Sequence, residues 1–170
     1  DVVVYSPETG GIRINARTGR ERALYREAFA LHLFGSTDHF YDGSTYTLAP
    51  LAQQGENAMK LVPGMKSVVL TEIRFQRWGE PMTTETQNGA NVFASFRSRN
   101  FEIRPDTMVC RATFEVMFGE DGKESDPKPR KFKVRRGNGV QIARDCDHVV
   151  FDKWLRANGY VQPESKKKRA

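Results

Sequence analysis

Long apolar runs are missing from this chain of 170 residues. None approaches the roughly 20 consecutive apolar residues a helix needs to span a bilayer, and no signal-peptide pattern stands at the start. A soluble, cytoplasmic protein is the expectation. Cysteine is scarce: Cys110 and Cys146 lie far apart and make no metal-binding spacing, which fits a reducing compartment better than a disulfide scaffold. The initiating Met is absent too. The chain opens at Asp1 directly in the strand-like run Val2 to Tyr5, and so reads as part of a longer protein, with further domains of the same chain among its possible partners.

The usual catalytic patterns are also lacking. Gly10 and Gly11 fall in a hairpin turn and Gly137-Asn138-Gly139 is too short, so no phosphate-cradling loop follows a strand. No serine sits in a nucleophile elbow, and the spacing of His32, His39 and His148 does not point to acid–base chemistry. A nuclease of the restriction-enzyme type needs a lysine two residues after its second acid. Asp106 and Glu115 supply acids, but Met117 stands in the lysine position. The clusters Asp145, Cys146, Asp147, His148 and Asp38, His39, Asp42 hold metal-ligating types, but neighbours in sequence point in different directions. They read as a helix cap and a polar loop. No metal and no cofactor is expected, and the chain leans to the non-catalytic.

What is present suits one α+β domain over residues 1–161, followed by a disordered basic tail, 162–170. Val2 to Ser6 and Ile12 to Ala16 predict a hairpin. Thr18 and Glu21 form a capping box for a helix that ends at Gly35, buries Leu24, Tyr25, Ala28, Phe29 and Leu31, and is the main one on the sheet. Thr45 to Leu48 predicts a short strand ended by Pro50, and 52–64 is ambiguous. Ser67 to Trp78 predicts a central strand with Val69, Thr71, Ile73 and Phe75 on one face. A polar connection, Gly79 to Gly89, leads to a helix capped by Asn88 or Asn91 and running to about Ser98.

The last third carries the clearest signals. From Val109 to Phe118, Cys110, Ala112, Phe114, Val116 and Phe118 alternate with Arg111, Thr113 and Glu115, predicting a strand with one dry face. After an acidic loop, Arg130 to Arg136 alternates again, with Phe132 and Val134 inward. Asp145 or Asp147 caps a helix over His148 to Ala157 that buries Val150, Phe151, Trp154 and Leu155, and Asn158 and Gly159 end it. The fold class expected is α+β: a largely antiparallel sheet of short strands and hairpins with about three helices packed on one side. The order strand, strand, helix recurs three times, which raises a repeat of about fifty residues.

Charge is segregated rather than abundant. The net charge is +6, and half of it lies in the tail, where Lys166, Lys167, Lys168 and Arg169 face only Glu164. Lys128, Arg130, Lys131, Lys133, Arg135 and Arg136 follow one another with no acid among them, beside a loop containing Glu120, Asp121, Glu124 and Asp126. Lys131, Lys133 and Arg135 share one strand face and are spaced to contact successive phosphates. Arg97 and Arg99 add a second group. The function expected is binding of nucleic acid, or another polyanion, through this strip. Phe132 faces inward, so stacking on unpaired bases is not expected. The bland reading is an edge strand protected from aggregation by its charges. The alternative function is a protein-interaction domain that pairs the acidic loop and basic strand with complementary surfaces.

Overall fold

Alternation, caps and turn residues reappear as regular elements in the computed structural model, which describes residues 1–7, 10–40, 45–77, 82–119, 129–142 and 147–162. Contacts divide the chain into two compact units, 1–43 and 44–170. In the first, β1 (Val2–Ser6) and β2 (Gly11–Asn15) pair antiparallel, and α1 (Gly19–Phe34) follows. Glu21 donates its N–H to Thr18 Oγ1 at 3.2 Å and accepts the Thr18 N–H at 2.7 Å, the reciprocal cap foreseen from sequence. Gly35 ends the helix at φ 70° and donates to the Leu31 carbonyl at 2.9 Å. Tyr5, Phe34 and Phe40 pack edge to face at 5.6–6.0 Å. The burial expected along α1 is not found: Leu24 and Leu31 are 62% and 56% exposed, and Ala30 is its buried residue. By contact this helix groups with its own hairpin. A two-stranded ribbon is too narrow to cover every apolar face of such a helix.

The second unit is built on a five-stranded antiparallel sheet in the order β4-β3-β5-β6-β7, formed by β3 (Met65–Arg77), β4 (Thr83–Asn88), β5 (Met108–Phe118), β6 (Arg130–Arg135) and β7 (Gly139–Gln141). Its helices are α2 (Ala49–Gln54), which runs into a 3-10 turn at Gly55–Met59, then α3 (Val92–Ser98) and α4 (His148–Ala157). Leu51, Ala58, Phe96, Phe151 and Trp154 from these helices join Leu70, Ile73, Phe114, Val116, Phe132 and Val134 of the strands in one core. The chain is therefore α+β, with these helices on one face of the sheet. None of the helices among the described residues is long and apolar enough to cross a membrane.

Local chemistry overrode the sequence pattern in several places. Thr45 to Leu48 makes no strand; Tyr46 bridges Gly137 and Val161 instead, and Pro50 opens α2 rather than closing a strand. Thr83–Asn88, within the polar stretch expected to be a connection, is a strand of polar residues paired to β3. The register of β3 with β5 is irregular at three places, and two of them shift the phase of the apolar alternation at Thr71 and Cys110. Thr71 is skipped between Leu70 and Glu72, so Leu70 and Ile73 both reach the core, while Val69 pairs with Glu115 on the other face. The Thr71 carbonyl accepts the Gly89 N–H at 3.0 Å, which satisfies the irregular backbone. Cys110 is skipped likewise, so Val109, at 2% exposed, takes the core position expected for the cysteine.

The turn after α4 locks the helix onto the sheet. Gly159, at φ 75°, directs Tyr160 back into the core, where it stacks on Trp154 and donates its hydroxyl to the Ala58 carbonyl at 2.9 Å. Burial pushes the phenol well above its ordinary value of 10.0 and keeps it a donor. Because the folded value is the raised one, this stabilisation is complete below about pH 10 and is lost as pH rises, by about 1.4 kcal/mol per unit. Tyr160→Phe is expected to cost about 1–3 kcal/mol at neutral pH by stranding the Ala58 carbonyl, and to remove that part of the alkaline slope. Urea unfolding of both proteins from pH 7 to 11 measures the difference.

Candidate nucleic-acid interface

Strand pairing decides which charges meet. Ala112, Val134 and Ile73 are fully buried, so their neighbours in each strand point to the face opposite the helices. The register there aligns Arg74 with Arg111 and Arg111 with Arg135, a row of three arginines across β3, β5 and β6. Directly paired side chains lie about 5 Å apart at Cβ, and like charges so placed repel. The row is partly compensated: Glu72 lies 3.8 Å from Arg111, and Arg74 donates to Thr86 Oγ1 at 3.1 Å. Arg135 is exposed and makes no ion pair among the described residues.

The next row is Asn88, Glu72, Thr113, Lys133 and Gln141, and Glu115 faces Lys131 beyond it. Between these rows lies an open groove of about 690 Å³, lined among others by Thr71, Gly89, Glu115, Lys131 and Lys133. The face thus gathers five cations against the carboxylates of Glu72 and Glu115. Among the described residues, no three His, Cys, Asp or Glu side chains gather as metal ligands would. Asp42, Asp145 and Cys146 lie outside the described residues; His39 stacks on Phe34 at 3.5 Å.

Lys131, Lys133 and Arg135 sit together on this face, as the alternation required. Arg136 lies just past the strand end, its guanidinium donating to Met108 Sδ. Arg130 does not join them. It points to the helix side, ion-paired with the buried Asp147 and lying over the Phe118 ring at 5.5 Å. Asp147, expected as a side-chain cap of α4, makes no such capping bond. Arg97 pairs with Glu56, and Arg99 reaches Gln87 at 3.3 Å; Gln87 is registered with buried Ile73, which places this pair of arginines on the helix side too. Lys128, the acidic loop 120–126 and the tail from 163 lie outside the described residues. The edge-strand reading of β6 fails for Lys133–Arg135, which pair with β7.

Compared with protein-family models, with curated proteins and with solved structures, the chain matches none. The site is therefore read from its own chemistry. Arg74 and Arg111 were missed in the sequence because they lie on separate strands, each flanked by unremarkable neighbours. Only the pairing of β3 with β5 brings them beside Arg135.

Proposed function

We propose that the chain is a non-catalytic nucleic-acid-binding module, acting in a cytoplasmic setting, whose contact surface is the open sheet face with Arg74, Arg111, Arg135, Lys131 and Lys133. The observation that carries this reading is the three-arginine row. A sheet gains nothing in stability from like charges placed directly opposite one another, whereas a line of phosphates is neutralised by them. Guanidinium groups also hold phosphate oxygens in two-point contacts that a lysine cannot copy. The face is part of a sheet stiffened by helices behind it, so the cations are presented at little ordering cost.

The test is binding of the full chain to labelled duplex DNA, single-stranded DNA and RNA across a salt series. With five cations each meeting one phosphate, log K is expected to fall against log salt with a slope of about −4.5 on duplex DNA. Removal of 162–170 is expected to leave most of that slope in place. A slope near zero, or binding that disappears with the tail, overturns the proposal. A protein partner whose surface carries charges of both signs is the second reading, favoured by Glu72 and Glu115 among the cations of the same face, which basic side chains of a partner would meet and a phosphate backbone would be repelled by.

A further inference from the structure

The groove beside the arginine row contains groups that phosphate contacts alone leave unused. Thr113 lies at its centre, 7% exposed, and its Oγ1 is buried without a hydrogen-bond partner. Glu72, in the neighbouring strand position, has its Oε1 buried and without a hydrogen bond, 3.8 Å from the Arg111 guanidinium. Buried polar atoms are normally satisfied, because an unmet one costs stability. On the other side of Thr113 stands Lys133, with Lys131 two residues before it. Glu72 and Lys133 stand on strands two spacings apart, with backbones about 10 Å from each other, and among the described residues no ion pair joins them. A ligand lying over Thr113 would meet an acceptor at one end and an ammonium group at the other. Asn88 and Gln141 close the same row with amides able to donate or accept.

Resting on the reading given above, we propose that this groove takes a single unstacked nucleotide of the bound strand, its phosphate on Lys131 and Lys133 and a hydroxyl or amino donor of its sugar or base on Glu72. Its volume, about 690 Å³, falls within the ordinary range of small-molecule sites. A nucleoside monophosphate joins an anion to neutral donors over the span that separates the two strands. The contact adds recognition of the nucleoside to a surface that otherwise reads only the backbone.

The experiment is calorimetric titration of the full chain with adenosine and uridine 5′-monophosphate, with inorganic phosphate in parallel. Saturable one-to-one binding of at least one mononucleotide is expected. Glu72→Gln is expected to weaken it about tenfold without weakening phosphate binding, and Lys133→Gln to weaken both about tenfold. Thr113→Val, similar in shape, keeps the melting temperature and weakens the mononucleotide about fivefold, which guards against a Glu72 variant that fails to fold. Strand binding with a steep salt slope but no mononucleotide binding overturns the groove inference and leaves the function standing. Phosphate bound as tightly as the mononucleotide, with no effect of Glu72→Gln, also overturns it. If neither strands nor mononucleotides bind, both readings fall.

Discussion

Replacing Arg74, Arg111 and Arg135 together by glutamine is expected to lower affinity for duplex DNA several hundredfold at about 0.1 M salt and to flatten the salt slope by nearly three. Each arginine that neutralises a phosphate releases condensed counterions, so its loss removes about 0.9 from the slope and about tenfold in affinity at that salt. The same substitutions are expected to leave the fold intact, because the repulsion they remove between paired strand positions offsets the loss of the Arg111–Glu72 and Arg74–Thr86 contacts. Binding is therefore lost without a matching loss of stability, which general damage to the protein would not produce. Arg97→Gln and Arg99→Gln, on the helix side, supply the contrast: the salt slope is expected to stay unchanged. Fluorescence anisotropy over a salt series, with thermal unfolding of each variant, measures both. An unchanged slope in the triple variant would remove the sheet face from consideration.

Features encoded within a few neighbouring residues could be read in the sequence. The capping box at Thr18 and Glu21, the Asn91 cap, the dry face of β6 and the span of α4 all follow from short-range spacing. What failed was set by partners distant in the chain. Thr83–Asn88 has no apolar alternation to mark it as a strand, since its backbone pairing to β3 is what holds it. The bulges at Thr71 and Cys110 reverse which face the flanking residues occupy, and nothing in the alternation announces them. The site divides in the same way. Lys131, Lys133 and Arg135 lie on one strand and were legible by their spacing; Arg74, Arg111 and Glu72 join them only through register. Arg130 was grouped with the strip by sequence proximity, although the strand period turns it to the opposite face.

Arg130→Met is expected to destabilise the second unit by about 3–5 kcal/mol, because it leaves the Asp147 carboxylate, 6% exposed, without its guanidinium partner. The methionine retains an apolar stem against Phe118, so the loss reports mainly the broken charge pair. Arg130→Met combined with Asp147→Leu is expected to recover most of the stability, since removing both charges also removes the cost of desolvating them. Urea unfolding of the wild type, both single variants and the double variant gives the coupling between the two sites. The same proteins separate structural from binding cations: under conditions where Arg130→Met remains folded, its salt slope on DNA is expected to equal that of the wild type. A lowered slope would return Arg130 to the contact surface and would mean that nucleic acid also engages the helix side of β6. An unchanged slope with a large loss of stability fixes the opposite division of labour, in which one face of the strand ties α4 to the sheet and the other offers its charges to phosphate.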